Sequence, residues 1–242
     1  MDGPPASGHF RLTTMTLAAQ NLEFAWRTTE GEIKAVSDFS AEFPGGIPHF
    51  ICGPSGSGKT TLGYLLSGLT TPDSGNVVQQ ADAAGEGGSV AYVFQFAEDL
   101  FFEDTVAAEL KQIADGREEH AREIFAQLGI NLSELLALPP HRLSAGYARL
   151  VAVALQMARD PQVLILDEPT IGLDWRFHRS MTAALRNWLS PSRVLIVITH
   201  DLDLMRELGG QAWVMSSGRL AWSGDVAMLL ADSSLLEQFA LR

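Results

Sequence analysis

The sequence predicts an α/β fold built on a parallel β-sheet. Short runs of Val, Ile and Leu, each bounded by Gly, Pro or Asp, alternate along the chain with segments of helical periodicity. Such uninterrupted apolar runs are typical of parallel strands that are buried on both faces. The runs lie at 49–52, 90–94, 162–167, 194–199 and 212–216, and helices are expected at 59–68, 104–114, 117–129, 145–158, 175–188 and 201–208.

Antiparallel strands are expected before the first buried run. Leu22, Phe24 and Trp26 recur at every second position, which is typical of a strand with one buried face. Residues 34–43 show a similar pattern that is offset at a turn or a bulge. This part of the chain is therefore predicted to form a separate antiparallel unit.

Aperiodic and helix-rich segments divide the rest of the chain. Residues 1–15 contain Gly, Pro and Ser and are predicted to form a flexible tail, which leaves 16–242 as the folded domain. The Gly-rich segment 82–88 is expected to be a loop. The block at about 97–157 has helical patterns and no strand-like run, which favours an inserted helical subdomain.

The composition excludes several classes of protein. The 242 residues include 17 Lys and Arg against 29 Asp and Glu, a formal net charge of −12. This acidity disfavours proteins that bind nucleic acid by phosphate neutralisation. The single cysteine, Cys52, excludes an internal disulfide framework and a Cys-rich zinc module. With no signal peptide and no apolar run of about 20 residues, the chain is expected to be a soluble intracellular protein.

A phosphate-binding loop is predicted at 53–60, where GPSGSGKT fits the pattern G-x-x-x-x-G-K-[ST] between a buried strand and a helix. Gly56 and Gly58 allow backbone conformations in which N–H groups converge on phosphate oxygens, and the helix N-terminus adds partial positive charge. Lys59 is expected to reach the β- and γ-phosphates, and Thr60 to coordinate Mg²⁺. The sequence therefore predicts a nucleotide-phosphate site.

Acidic residues and a histidine follow two of the other buried runs. Asp167 and Glu168 end one run and His200 follows the next, at the sheet edge where open α/β sheets bind ligands. Taken alone, an Asp-Glu-Pro turn or a histidine after a strand is an ordinary strand end. Beside a phosphate loop, Asp167 can hold Mg²⁺ through its water shell and Glu168 can polarise a water in line with the γ-phosphate. His200 is then expected to contact the γ-phosphate.

Taken together, these segments resemble an ATP-binding cassette (ABC) ATPase, the nucleotide-binding subunit of membrane transporters, over about residues 16–230. The matching segments are GPSGSGKTT (Walker A), Gln95 (Q-loop), LSAGY at 143–147 (signature), VLILDEPT at 163–170 (Walker B), IGLD ending in Asp174 (D-loop) and THD at 199–201 (switch histidine). Trp26 stands where the family places an aromatic ring against adenine. The resemblance implies a P-loop NTPase with a RecA-like core, an antiparallel β subdomain and a helical subdomain that carries the signature.

The resemblance also implies ATP and Mg²⁺ as cofactors and a second ABC ATPase subunit as partner. In the family, each ATP lies between the phosphate loop of one subunit and the signature of the other. The implied nucleotide-binding residues are Trp26, Gly53, Pro54, Ser55, Gly56, Ser57, Gly58, Lys59, Thr60 and Thr61; the catalytic residues are Glu168, His200 and Gln95; the Mg²⁺ ligands are Thr60, Gln95 and Asp167; the residues acting in trans are Ser144, Ala145, Gly146 and Tyr147.

The stretch VFQFAEDLFFEDTV resembles the energy-coupling factor (ECF) branch, whose importers take up vitamins or nickel and cobalt ions. It contains an apolar cluster flanked by acids, formed by Phe96, Leu100, Phe101 and Phe102 with Glu98, Asp99, Glu103 and Asp104. This composition suits the docking of a short Arg-bearing helix from a membrane subunit, which would place the chain at the cytoplasmic face of the membrane. The alternative is an ordinary amphipathic loop in which Asp104 caps the next helix.

The chain departs from both patterns. Ala145 and Tyr147 replace the first glycine and the glutamine of the LSGGQ signature, and Ala97 and Leu100 replace the Pro and Gln of the ECF pattern. Ser144 and Gly146 are retained and are expected to precede a helix over 147–158, whose positive N-terminus would face the partner's ATP. The two replacements are either tolerated drift or a weakened signature. A weakened signature would impair one site in a heterodimer and both in a homodimer, which favours a heterodimer without excluding a homodimer.

The leading hypothesis is the ATP-hydrolysing motor of an importer with separate membrane subunits. The alternatives are a soluble ABC ATPase outside transport and a nucleotide-dependent regulator with low turnover. The sequence has neither a long coiled-coil insertion nor a second cassette, and its charge disfavours nucleic acid. Only the altered signature supports the regulator.

Overall fold

The computed structural model describes residues 14–29, 31–81, 88–96, 100–114 and 116–241. Its strands are β1 (Met15–Thr28), β2 (Gly31–Pro44), β3 (Pro48–Cys52), β4 (Ser74–Ala81), β5 (Val90–Val93), β6 (Val163–Asp167), β7 (Val194–Ile198), β8 (Gln211–Ser216) and β9 (Arg219–Asp225). Its helices are α1 (Lys59–Ser67), α2 (Val106–Ala114), α3 (Glu118–Gln127), α4 (Leu132–Leu135), α5 (Ala145–Ala158), α6 (Trp175–Trp188), α7 (Leu202–Leu208), α8 (Val226–Ala231) and α9 (Ser233–Gln238), with a 3₁₀ turn at Pro140–Arg142. Within these ranges, no helix is both long and apolar enough to cross a membrane.

The larger sheet has six strands in the order β5-β6-β7-β3-β8-β9. Strands β5, β6, β7, β3 and β8 are parallel, and β9 pairs with β8 in the antiparallel sense. The five apolar runs of the sequence are these five parallel strands, which confirms the predicted parallel sheet.

Side chains of the parallel strands alternate between two cores. Phe50 and Cys52 face the core formed with the helical segments, whereas Ile51 faces the core formed with α1 and the smaller sheet. On β6, Leu164 faces the first of these cores and Ile165 faces the second. The side chains named on β3 and β6 are all fully buried. Because these strands bury both faces, their sequences are apolar at nearly every position, with the buried His49 of β3 as an exception.

The smaller sheet is antiparallel and has the order β2-β1-β4. Leu22 pairs with Phe39 and Phe24 pairs with Val36, so β2 has one more residue than β1 between these pairs. This β-bulge is the offset that the sequence predicts. The third strand, β4, was not predicted, because the segment SGNVVQQA has neither apolar alternation nor a long apolar run.

The N-terminal boundary of the fold differs from the prediction. Residues 1–13 of the predicted tail lie outside the described part of the chain. Met15, which the sequence assigns to that tail, is the first residue of β1 and is only 2% exposed. The folded domain therefore begins at least one residue earlier than predicted, because Met15 completes the core of the smaller sheet.

Helices α2 to α5 fill the interval between β5 and β6, as expected for a helical insertion. The described part of this interval contains no strand. Helix α2 begins at Val106 rather than at 104, because the hydroxyl of Thr105 accepts a hydrogen bond from the backbone N–H of Ala108 at 3.2 Å. Thr105 therefore caps this helix, and the interpretation of Asp104 as its cap is wrong. Strand β9 and helices α8 and α9 were also not predicted.

Phe125 tests the packing of the helical segment because its side chain on α3 is fully buried. We expect Phe125→Ala to lower the free energy of unfolding by about 3–5 kcal/mol, because the cavity adds to the lost burial. Urea denaturation measures this change. The matched control is Phe102→Ala, at a side chain that is 83% exposed, with an expected effect within about 0.5 kcal/mol. Equal effects of the two substitutions would contradict the packing described.

Candidate functional site

A cavity of about 650 Å³ opens at the carboxyl ends of β3, β5, β6 and β7. Of the residues predicted from the sequence, Trp26, Gly53, Pro54, Ser55, Gly56, Gly58, Lys59, Thr60, Thr61, Gln95, Asp167, Glu168 and His200 line it. Residues that were not predicted also line it, namely Ile33, Lys34, Ala35, Ile171, Ala240 and Leu241. Ser57 was predicted but does not line the cavity, because its side chain is buried and 3% exposed.

The loop between β3 and α1 forms one wall of this cavity and depends on glycine at two positions. Gly53 has φ 138°, and a Cβ atom there would lie 2.1 Å from the carbonyl oxygen of Met215. Gly58 precedes α1 in the left-handed region, with φ 99°. A side chain is therefore excluded at Gly53 and would be strained at Gly58. Glycine at both positions allows the tight backbone turn in which N–H groups can surround a phosphate.

Lys59 is held at the base of the loop. Its ammonium donates hydrogen bonds to the carbonyl oxygens of Gly53 and Pro54, each at 2.8 Å. Burial lowers the pKa of Lys59, and the nearby carboxylates of Glu168 and Asp167 oppose this effect. The cavity therefore contains a cation beside two acidic groups, in an arrangement suited to an anionic ligand with a metal ion.

Asp167 ends β6 as a buried carboxylate, 2% exposed. The hydroxyl of Tyr92 donates to its Oδ2 at 3.0 Å, and Thr60 makes a second side-chain hydrogen bond with it. Burial raises the pKa of Asp167, while these two hydrogen bonds lower it. Thr60, Gln95 and Asp167 all line the cavity and all carry a side-chain oxygen. One carboxylate with neutral oxygen groups beside it fits the way proteins hold Mg²⁺ together with substrate phosphates.

Glu168 follows Asp167 in a strained backbone conformation, with φ 50°. Its backbone N–H donates to the carbonyl oxygen of Ile198 at 2.8 Å. Its carboxylate accepts a hydrogen bond from the hydroxyl of Thr199 at 3.1 Å and lies 2.7 Å from Nδ1 of His200. Strain of this kind is found at functional sites where the surroundings fix it. Here the loop after β7 fixes both the backbone and the carboxylate of Glu168.

A second group of hydrogen bonds joins the loops after β6 and β7. Asp201 caps α7, and its Oδ2 accepts from the hydroxyl of Thr170 at 2.7 Å and lies 2.8 Å from Nε2 of His178. Burial raises the pKa of Asp201, but the hydrogen bonds from Leu204, Thr170 and His178 outweigh it and hold the pKa below its ordinary value. An ionised Asp201 therefore keeps the segment that carries His200 in place.

Trp26 lines the same cavity from strand β1 of the smaller sheet. Its indole N–H donates to the hydroxyl of Thr61 at 3.1 Å, and its ring packs edge-on against Phe24 at a centroid distance of 4.9 Å. The side chain is nevertheless 42% exposed. A fixed and accessible indole on the cavity is suited to stacking on a flat ring.

Comparison with known proteins decides the family. A family model described as ABC transporter matches residues 36–171, which is more than half of the chain. The chain belongs to the ABC transporter family. It is 35% identical to the cobalt import ATP-binding protein CbiO of Rhodobacter capsulatus, over 95% of this chain and 85% of that protein. It is 32% identical to the energy-coupling factor transporter ATP-binding protein EcfA2 of Streptococcus pneumoniae, over 94% of this chain and 88% of that protein.

Solved structures agree with this assignment at the level of the fold. The dimeric post-hydrolysis state of the ATP-binding cassette MJ0796, bound to ADP and Pi, superposes with a TM-score of 0.74 at 22% identity. The match covers 87% of this chain and 98% of that one. The P-loop NTPase fold and the resemblance to ABC ATPases are therefore confirmed, and the chain is an ATPase of this family.

The signature of this ABC ATPase lies away from the cavity, on α5. Ser144 caps the helix, and its hydroxyl accepts from the backbone N–H of Tyr147 at 3.3 Å. The helix begins at Ala145, so the narrower prediction of a start at 147 is wrong and Gly146 lies in the first turn. A Cβ atom on Gly146 would lie 2.5 Å from the carbonyl oxygen of Gly172, so glycine is required by contact with the D-loop segment.

Tyr147 of the signature and Asp174 of the D-loop both contact residues of helix α6. The ring of Tyr147 packs edge-on against Phe177 of α6, with centroids 5.5 Å apart. Asp174, predicted in the D-loop, caps α6 by accepting from the backbone N–H groups of Arg176 and Phe177. Tyr147 is therefore packed within its own chain, and Asp174 shapes the D-loop that precedes α6.

Three residues that support the site were not found from the sequence. They are Tyr92 on Asp167, Thr199 on Glu168, and Arg149, which donates to the backbone carbonyl of Gln95. Thr199 directly precedes His200 and could have been found from that position. Tyr92 and Arg149 have no local signal, since one lies in a buried strand and the other in an apolar helix.

Tyr92→Phe tests whether the hydroxyl of Tyr92 orients Asp167 for Mg²⁺. We expect the Mg²⁺ concentration that half-saturates ATP binding to rise roughly 10-fold, because the substitution removes the hydroxyl that orients the carboxylate of Asp167. Binding of ATP to the intact chain is measured across an Mg²⁺ titration. Tyr64→Phe is the matched control, since its ring packs beside Tyr92 at 5.3 Å. Similar Mg²⁺ curves for both variants would contradict the assignment.

Proposed function

We propose that this chain is the ATP-hydrolysing motor subunit of an importer that takes up a small solute, a vitamin or a transition-metal ion, through separate membrane subunits. The observation that carries the hydrolytic part is the carboxylate of Glu168, held by Thr199 and His200 on the same cavity as the phosphate loop. The transport part is supported by relatives named for cobalt import and for an energy-coupling factor transporter.

The residues on the cavity divide the chemistry between binding and activation. The backbone N–H groups of the phosphate loop and Lys59 bind the β- and γ-phosphates, and the indole of Trp26 stacks on adenine. Glu168 accepts a proton from the attacking water as general base, and His200 holds that carboxylate while it contacts the γ-phosphate. Phosphoryl transfer depends chiefly on positioning and on charge stabilisation, which these fixed groups supply.

Thr60, Gln95 and Asp167 would hold Mg²⁺. When bound, the ion would neutralise negative charge that develops on the phosphate oxygens. Tyr92 keeps the carboxylate of Asp167 in place for this role.

A second ABC ATPase subunit completes the site in this proposal. Ser144 at the start of α5 would donate to the partner's nucleotide, with the positive end of the helix behind it. Ala145 and Tyr147 weaken this contact relative to LSGGQ, and a partner with a normal signature would then serve the intact Glu168 and His200 of this chain. The second subunit is either another copy of this chain or a different ABC ATPase subunit.

The membrane subunit would dock near 96–104, which includes the Q-loop flank. Phe96 and Phe102 are 58% and 83% exposed, whereas Leu100 and Phe101 pack against the core. The predicted apolar cluster is therefore smaller than the sequence indicates. The buried carboxylate of Glu109 accepts from the backbone N–H groups of Phe102 and Glu103 and so holds the backbone that carries the exposed ring.

The acidic rim of this surface is only partly described. Residues 97–99, which include Ala97, Glu98 and Asp99, lie outside the described part of the chain. Beside Phe102, Asp104 is exposed and Glu103 is half-buried. A short Arg-bearing helix of a membrane subunit fits this chemistry, and the chain would then be peripheral at the cytoplasmic face of the membrane.

Copurification tests the importer proposal. The tagged chain, expressed in its native cell and extracted with detergent, is expected to bring down a membrane protein with several spans. Phe102→Asp is expected to lose that partner, while Leu69→Asp, at a side chain that is 55% exposed, keeps it. Recovery of the wild-type chain without any membrane protein would overturn transport and favour a soluble ABC ATPase.

Glu168→Gln tests the catalytic assignment. The amide cannot accept the proton of the attacking water, so we expect ATP binding to persist while hydrolysis falls roughly 100-fold or more. The ATP-bound pair of subunits should then accumulate and elute as a dimer in size-exclusion chromatography with ATP. Glu207→Gln, at an exposed carboxylate, is the control and should turn over normally. Rapid phosphate release by Glu168→Gln would refute the role of this residue as base.

A further inference from the structure

Arg149 is a buried arginine in the signature helix α5 and is only 7% exposed. Its Nη2 donates to the backbone carbonyl of Gln95 at 2.5 Å, and its Nη1 donates to the backbone carbonyl of Ile171. Gln95 follows β5 and Ile171 follows Walker B, and both line the nucleotide cavity. One side chain therefore joins the signature helix to two separate loops of the site.

The chemistry of the guanidinium makes this contact a geometric constraint. Its N–H groups diverge in a rigid plane, so two carbonyl oxygens bonded to it are held at a fixed separation and direction. A lysine ammonium is a single point of charge and would not fix both carbonyls in this way. Burial of Arg149 adds to the constraint, because a displaced guanidinium would lose these hydrogen bonds with little water to replace them.

A second contact joins the same helix to the D-loop segment. Gly146, one turn before Arg149, packs so closely on Gly172 that no side chain is tolerated between them. The start of α5 thus touches 171–172 at two points and the Q-loop at one. Movement of α5 relative to either loop would require breaking these contacts together.

We propose that Arg149 is a positioning residue that sets Gln95 and the segment at Ile171 relative to the signature helix. A shift of α5 would therefore displace Gln95 on the cavity that it lines. This inference rests on the proposed role of Gln95 in ATP hydrolysis. It assigns to Arg149 a role that acts through Gln95 rather than on the nucleotide itself.

A double-mutant cycle between Arg149→Lys and Gln95→Ala tests this role in steady-state ATP hydrolysis by the full chain. Arg149→Lys is expected to lower kcat about 10-fold while the KM for ATP stays within about twofold. In the Gln95→Ala background, the same substitution should lower kcat by no more than about twofold, because the group that it positions is already gone. Arg159→Met, at an exposed arginine beyond the end of the same helix, should match the wild type.

Two results would overturn the proposal. One is a wild-type kcat for Arg149→Lys, and the other is a loss that is as large in the Gln95→Ala background as in the wild type. Thermal unfolding of each variant is measured alongside, and Arg149→Lys retains the buried charge so that the fold is preserved. Failure of the importer proposal would be seen as a missing membrane partner, whereas this cycle uses only ATP turnover.

Discussion

The parallel pairing of β5, β6, β7 and β3 is the constraint on which the rest of the site depends. Parallel strands present their carboxyl ends at one edge, so Gln95, Asp167, His200 and the phosphate loop reach a common cavity from distant parts of the sequence. The buried, two-sided character of these strands fixes their register, because each side chain belongs to one of two cores. Packing of the core therefore determines the positions of the polar groups at the edge.

The site explains how an acidic protein can hold a highly anionic ligand. The net charge of −12 disfavours a basic binding surface, yet phosphate requires only the backbone N–H groups of a glycine loop, one buried lysine and a metal ion. Lys59 lines the cavity, donates to two loop carbonyls, and has its charged form favoured by the carboxylates of Glu168 and Asp167. Local geometry decides the ligand here, and the overall charge does not.

The sequence predicts those parts of the molecule that have a local signal. The parallel strands show as apolar runs, and the phosphate loop shows as glycines next to a lysine. Strand β4 was missed because its side chains are mostly polar and its pairing depends on β1. Tyr92 and Arg149 were missed because their partners lie 75 and 54 residues away, so only the folded chain brings them together. The exposed apolar area at 96–102 was overestimated, since Leu100 and Phe101 pack against the core.

The most direct measurement of the central claim is an experimental structure of the assembled complex with Mg²⁺ and a non-hydrolysable ATP analogue. We expect the γ-phosphate between Lys59 and His200 and the metal ion beside Thr60 and Asp167. The carboxylate of Glu168 should lie within hydrogen-bond reach of a water in line with the γ-phosphate. An analogue whose triphosphate lies outside this cavity, or a metal ion with no contact to Asp167 or its water shell, would contradict it.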